Sequence, residues 1–459
     1  MSSSLSPALL PWLRETRAVV HLAVPLALTQ LALMAIMTTD VVLMGWIGAD
    51  ELAAGTLASH FYWAFVAFGF GTLTGATPMM AQHLGARRFR RIRPVMRQAM
   101  WLSLLLAIPI SQIAWFSGSI LPLLGQETEV AANVQSYLRY IVFGLLPAMW
   151  FMVLSEFLAA HARPRAVMVV TILAIALNGL LDYALMFGNL GAPEMGLDGA
   201  GLASAIVNVS MFLALLVFVM RDHKFRRYRL LGRLWRIEWP NMFEIVRVGM
   251  PIAVTEVAEM GMFTVLSLMM GVLGTDALAA HGVTSQCYAV IFMIPVGIAQ
   301  AAAVRVGRAV GANDPHGAAR SGWTALSLGA LAALVPSLAF WFAGHEVASL
   351  ILNDGNPENT AALDLAVTIL AVATFFMIAD AVMISARGAL QGMKDTKVPM
   401  FIALGTSWGF GLPIAALLGF ELELGGPGIW AGMAAAIGCA SILVLWRFHV
   451  LARRLKKPA

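Results

Sequence analysis

Six acidic side chains fall inside long apolar stretches of this sequence: Asp40, Glu156, Asp182, Glu256, Glu259 and Asp380. An ionised carboxylate in a hydrocarbon medium costs several kcal/mol, so each must have a partner, a water-filled cavity or a proton. The apolar stretches hold almost no Lys or Arg, and a fixed ion pair is therefore not expected. A mobile cation has to compensate them, which admits protons, sodium ions and cationic substrates. Desolvation disfavours the charged form of any carboxyl group, which brings proton binding near neutral pH within reach.

The six differ in setting. Glu259 lies in the middle of its apolar run and Asp380 seven residues before Arg387, so both suit a central cavity. Asp182 follows Asn178 by one helical turn, which puts the two on one face, as a proton-holding network or as interhelical glue. Asp40 lies in the outer half of its run. Glu256, one turn before Met260, cannot fully share a face with Glu259, so one of the two points elsewhere. Glu156 lies close to His161 and Arg163, where snorkelling to a helix end is expected. Met260, Met262, Met269 and Met270 with Phe263 could line a deformable apolar pocket, ordinary helix packing being the competing account. Pro25, Pro251 and Pro413 are candidate kinks, and Gly69, Gly71 and Gly75 allow close helix approach.

The elements that hold these groups can be read from composition. Of 459 residues, 60% are apolar and 12% charged, against roughly 25% charged in soluble domains. Apolar runs lie near 17–45, 51–82, 95–118, 133–160, 166–188, 199–220, 243–272, 278–306, 319–343, 361–386, 397–420 and 428–449. Each covers about 30 Å of hydrocarbon at about 1.5 Å per residue. They lack the two-residue alternation of a membrane barrel, so the fold class is all-α integral membrane with twelve transmembrane helices. Met1 to Leu10 carry no basic stretch before a short apolar run, so the first span is expected to stay in the mature protein. Cys287 and Cys439 both sit in apolar segments and give neither a disulfide framework nor a metal cluster. No phosphate-binding loop, zinc-protease motif or nucleophile elbow is present, so an enzyme is not expected. No cofactor or structural metal is implied, and energy must come from an ion gradient or a partner.

Basic residues alternate from loop to loop. All but Arg139 of the 30 Lys and Arg fall before span 1, in every second loop or in the tail; the longest such loop carries Arg221, Lys224, Arg226, Arg227, Arg229, Arg233, Arg236 and Arg247. The other loops hold Asp50, Glu51, Glu127, Glu129, Glu194, Asp276, Asp354, Glu358, Glu421 and Glu423. This is the pattern of a multi-pass inner-membrane protein with both termini cytoplasmic, and it argues against nucleic-acid binding. A shift of 226 residues places Pro25 on Pro251, Thr29 on Thr255, Met34 on Met260 and Thr38 on Thr264. It also lays 48–54 over 274–280. Six helices separate the copies, so the halves are parallel repeats, two pseudo-symmetric six-helix bundles flanking a central cleft. The expected division is 1–220, a cytoplasmic linker at 221–242, and 243–459.

Several short segments, in order and spacing, resemble the multidrug and toxic compound extrusion (MATE) transporters, nearest to their NorM-like branch, over essentially the whole chain. They are Pro25 with Gln30, Asp40 and Met44-Gly45; Pro251 with Glu259; Asp380-Ala381 followed by Arg387-Gly388, Gly392 and Asp395-Thr396; Gly411-Leu412-Pro413; and the stretch 191–205. The resemblance implies export of organic, mostly cationic, amphipathic compounds in exchange for protons or sodium ions, by a chain working as a monomer in the lipid bilayer. It also implies Glu259, Asp380 and Asp40 as cation-coupling carboxylates, with sodium held transiently at Glu259 and Asp380 if sodium is the coupling ion. Asn178, Asp182 and Gln30 would form the N-terminal network, and Glu256, Met260, Phe263 and Phe376 would line a substrate cavity. Two departures keep proton coupling at least level with sodium coupling: Phe376 stands where NorM-like relatives often have Tyr, and Asp182 where they often have Asn. A rival, a lipid-linked oligosaccharide flippase of similar two-half design, would need Arg along its cleft, and the spans have almost none.

Overall fold

The computed structural model describes residues 10–226, 228, 232, 235–352 and 359–456. Met1–Leu9 of the leading segment, and Arg227, Arg229, Arg233, Asp354, Glu358 and Lys457 of the charge pattern, lie outside the described residues. Among the described residues, twelve helices are long and apolar enough to cross a membrane: α1 (Leu10–Ile47), α2 (Ala49–Gly85), α3 (Phe89–Trp115), α4 (Thr128–Ala160), α5 (Arg165–Phe187), α6 (Leu197–Arg221), α7 (Trp239–Leu273), α8 (Thr275–Gly311), α9 (Pro315–Phe342), α10 (Thr360–Gly392), α11 (Lys397–Glu421) and α12 (Gly425–Lys456). Each expected span overlaps one of them, and no strand occurs among the described residues. The all-α membrane class is as expected.

The repeat is written into the turns. Among the described residues, six non-glycine residues adopt positive φ: Arg87, Ala162, Leu190, Asn313, Lys394 and Glu423. Left-handed residues of this kind end helices, and a side chain there costs energy, so their positions are informative. They pair off, Arg87 with Asn313, Ala162 with Lys394 and Leu190 with Glu423, at separations of 226, 232 and 233 residues. The last increase of one residue falls across α11, whose stretch Gly405–Gly411 is π-helical. A π-turn absorbs an inserted residue without breaking the helix.

Two compact units result, Leu28–Ala253 and Met1–Ala27 with Val254–Ala459. The division therefore falls inside α1 and α7, not at the expected linker, and the two crossing points come two residues after Pro25 and Pro251. Close packing explains the exchange. In one unit, Gly297 of α8 presses on the backbone of Ala27; in the other, Gly249 of α7 presses on that of Thr72. A Cβ at either glycine would collide with that backbone. The segment before α7 is likewise pinned within its unit: Arg97 pairs with Glu238, Arg93 donates to the Gly232 carbonyl and Gln98 to that of Arg236.

Each unit has its own core. Met44, Leu73, Met79, Met80, Tyr137 and Phe157 are fully buried in the first, and Phe376, Trp430, Met433 and Phe448 in the second. Lipid tails are as apolar as these side chains, so close packing and buried hydrogen bonds hold such cores together.

Candidate functional site

In the unit 28–253, Asp40 of α1 is met by two neutral donors. Asn178 Nδ2 of α5 donates to its Oδ1 at 2.8 Å and Ser204 Oγ of α6 to its Oδ2 at 3.0 Å. The Asp182 carboxyl, one turn beyond Asn178, lies against that of Asp40. Asp182 and Asn178 are both 0% exposed, and neither Asp182 oxygen has a partner donor. No Lys or Arg contacts the pair among the described residues. Two adjacent carboxyl groups can bond to each other only if one carries a proton, because an ionised carboxylate only accepts. The expected Asn178–Asp182 face is formed and Asp40 joins it. Gln30 makes no hydrogen bond within it: ten residues earlier on α1, it sits about 15 Å along the axis. Ser204 was not foreseen, since an isolated Ser in an apolar run carries no signal.

Glu156 also departs from expectation. Rather than snorkelling towards His161 and Arg163, it accepts a hydrogen bond from Thr77 of α2. His161 bonds Tyr228, and Arg163 pairs with Asp222. Both potential partners are therefore held elsewhere.

The other unit combines its acids differently. Tyr288 of α8 donates its hydroxyl proton to Asp380 Oδ2 of α10 at 2.8 Å. Asp380 is 5% exposed. Glu259 of α7 accepts from Arg387 of α10, so the expectation of no fixed cation fails for this residue. Arg387 lies inside α10, which runs on to Gly392, and a long guanidinium arm reaches across to α7 from there. Counting it with the loop residues concealed it. Both Glu256 and Asp380 lie within electrostatic range of the same guanidinium. The pair is half-buried, with side-chain exposures of 15% for Arg387 and 24% for Glu259.

Aromatic rings wall this site. Phe263 stacks on Tyr288 at 5.7 Å between centroids, and Phe376 meets Tyr288 edge-on at 5.1 Å. Phe376 thus packs where a hydroxyl seemed to be missing, while Tyr288 supplies one from another helix. The methionines do not form one pocket wall. Met262 and Met270 are buried in the core, Met260 is exposed, and only Met269 and Phe263 occupy intermediate positions. Trp408, in the π-helical stretch of α11, donates its indole N–H to the carbonyl of Ala258, beside Glu259. Among the described residues no group of three or more His, Cys, Asp or Glu could hold a metal ion.

The family model described as MatE matches residues 25–184 and again 251–417. The chain belongs to the MatE family. The two matches begin at Pro25 and Pro251, the prolines that the repeat superposes. The probable multidrug resistance protein NorM of Mesorhizobium japonicum is 39% identical over 439 residues, 95% of this chain and 94% of its own. Its namesake in Synechocystis is 36% identical over 445 residues, 97% of this chain and 96% of its own. Among solved structures, a eukaryotic MATE transporter superposes with a TM-score of 0.85 at 20% identity, covering 97% of this chain and 99% of that one. An outward-facing multidrug resistance MATE family transporter of the MOP superfamily gives 0.87 at 18% identity, covering 97% of each. At these identities the structures speak for the fold alone. This MatE protein is a multi-pass membrane transporter and not an enzyme, as its motifs led us to expect.

Proposed function

We propose that this MatE transporter is a proton-driven antiporter that exports amphipathic organic cations, including drugs. The observation that carries the reading is the Asp40–Asp182 pair: two buried carboxyl groups side by side, with neutral donors and no cation between them. Such a pair is suited to bind one proton and release it. Multidrug resistance relatives at 36 to 39% identity support the export of small organic compounds.

In this mechanism a proton entering Asp40–Asp182 and a cation at the carboxylates of the other unit weaken each other's binding, and that reciprocal coupling drives exchange. Glu259 already holds a tethered cation in Arg387. A cargo cation arriving at Glu256, Glu259 and Asp380 competes with that guanidinium, so the site refills with its own positive charge once the cargo leaves. Phe263 and Tyr288 offer ring faces to an organic cation, while Phe376 is fully buried. Movement of one repeat against the other would carry the site from one side to the other. The basic loops support a reading with both termini in the cytoplasm and the chain in the inner membrane, acting as a single copy. The flippase reading finds no support in Arg387, whose charge is taken up by Glu259.

Sodium remains a competing driver, because the Asp380 carboxylate and the Tyr288 hydroxyl offer oxygen ligands. Purified protein in liposomes, loaded with ethidium and given a pH gradient and then a sodium gradient, tests the assignment. Efflux under the pH gradient alone is expected. Efflux only under the sodium gradient would overturn it.

A further inference from the structure

A second polar cluster lies in the same unit as Asp380, apart from it. His281 of α8 is 4% exposed. Its Nε2 lies 3.0 Å from Ser267 Oγ of α7 and 3.4 Å from Ser285 Oγ on its own helix. Its Nδ1 has no hydrogen-bond partner, and neither has Nε1 of Trp430 of α12, which is 0% exposed. The two rings lie 5.7 Å apart between centroids. Partnerless buried polar atoms are uncommon, and two on neighbouring rings call for a shared explanation. The indole N–H only donates, while Nδ1 accepts when the imidazole proton is on Nε2, so one water between them would satisfy both.

The cluster's place in the helices gives it a direction. His281 is six residues into α8, Ser267 six before the end of α7 and Trp430 five into α12, so all lie about 9 Å from one end of these helices. That end carries the exposed acids Asp276, Glu421 and Glu423, which attract protons. Inward, His281, Ser285 and Tyr288 follow one face of α8, and Tyr288 holds Asp380. Between His281 and Asp380 stands a plug of rings. Trp430 meets Phe376 at 5.6 Å, and Phe376 and Phe263 close on Tyr288.

We propose that His281, with Ser267, Ser285 and Trp430, forms an internal water site that takes up protons and passes them towards Tyr288 and Asp380. It rests on the proton-driven reading above and adds a second proton entry: a proton delivered to Asp380 neutralises that carboxylate and frees the cargo cation held there. Nδ1 takes a proton from the water, and Nε2 gives one up to the Ser267 or Ser285 hydroxyl, which passes its own proton on. The imidazole returns to neutral, and one proton in gives one proton out. Among the described residues, the polar and ring partners of His281 on α7, α8 and α12 are two hydroxyls and an indole, with no carboxylate hydrogen-bonded to it. The ring plug admits it only when the rings turn.

The test is the initial rate of ethidium efflux from proteoliposomes as external pH is varied. His281→Gln keeps a hydrogen-bonding amide but cannot titrate. It should slow efflux roughly tenfold and flatten the pH profile. That is less than the loss of about 100-fold or more for a group that transfers a proton in the reacting step, because water still carries protons past the site. Ethidium affinity in detergent should not change. Trp430→Phe keeps a ring and loses the N–H, and should shift rate and profile the same way by less. A wild-type profile in His281→Gln overturns the site; should that variant fail to insert, a wild-type rate and profile in Trp430→Phe does so instead. Asp182→Asn is measured alongside. If it still exports ethidium under a pH gradient the parent reading falls, whereas loss in Asp182→Asn with an unchanged His281→Gln removes only the relay.

Discussion

The two units of this transporter share a scaffold and differ in the chemistry they place on it. Left-handed turns recur at matching positions in both halves, and the family model fits each half once. The acids do not recur. Shifted by 226, Asp40 falls on Leu266, and the part of α11 that corresponds to Asn178 and Asp182, residues 410–415, is Phe-Gly-Leu-Pro-Ile-Ala. Shifted by 232, the spacing of the Ala162 and Lys394 turns, Arg387 falls on Ser155 and Asp380 on Ala148. One unit therefore pairs carboxyl with carboxyl among neutral donors, and the other pairs carboxylate with guanidinium. The first arrangement suits a small ion that binds and leaves completely. The second keeps a positive charge in place and suits a larger cation that must displace it. A duplicated fold has kept its packing, while its two copies carry different arrangements of charge.

If the carboxyl pair carries the driving proton, Asp182→Asn should have the largest effect of any single change. The amide has nearly the same shape but cannot share a proton as an acid, so pH-driven ethidium efflux should fall by about 100-fold or more. Asp40→Asn should do the same, and the double variant should lose no more than either alone, because the two act as one site. Additive losses would break the pairing and with it the contrast between the units.

Arg387→Gln should cost stability as well as transport. It leaves Glu259 as a half-buried charge without its partner, for which roughly 3 kcal/mol is expected, read as a lower unfolding temperature in detergent. Adding Glu259→Gln should recover most of that stability and none of the transport. A single variant as stable as the wild type would show that the guanidinium is not the counter-ion of this site.

Much of this arrangement could be read from the amino acids. The twelve spans, the repeat and the Asn178–Asp182 face all follow from periodicities that a lipid environment enforces. What escaped were partners brought in by tertiary packing. Tyr288 and Ser204 sit in apolar runs with nothing nearby to distinguish them, yet each donates to a buried acid on another helix. Arg387 was visible but misread, because charge counting assigns a residue near a helix end to the loop. The unit boundary was misplaced for a similar reason: the charged linker at 221–242 is conspicuous, whereas the crossings inside α1 and α7 depend on Gly249 and Gly297 meeting other helices.

Tyr288→Phe removes only a hydroxyl, and probes whether the two units hold their acids with equal strength. A hydrogen bond to a charged acceptor contributes about 1.5–3 kcal/mol, so efflux should slow by roughly tenfold or more, with ring packing against Phe263 and Phe376 retained. Loss of function on the scale of Asp182→Asn would mean that the Tyr288 hydroxyl takes a direct part in carrying the ion.

Ser204→Ala is the corresponding change in the other unit and should matter least. Asp40 keeps Asn178 as a donor at 2.8 Å and loses only the longer bond at 3.0 Å. About 1 kcal/mol is at stake, a factor of about five in rate. With one donor removed, the Asp40 carboxyl has a free oxygen that a second proton carrier or a sodium ion could approach. Ser204→Ala should therefore leave the response to a sodium gradient unchanged if the pair is built for protons. A gain of sodium-driven ethidium efflux would show that Ser204 had been excluding sodium, and that the contrast between the two units is one of ion selectivity as well as charge.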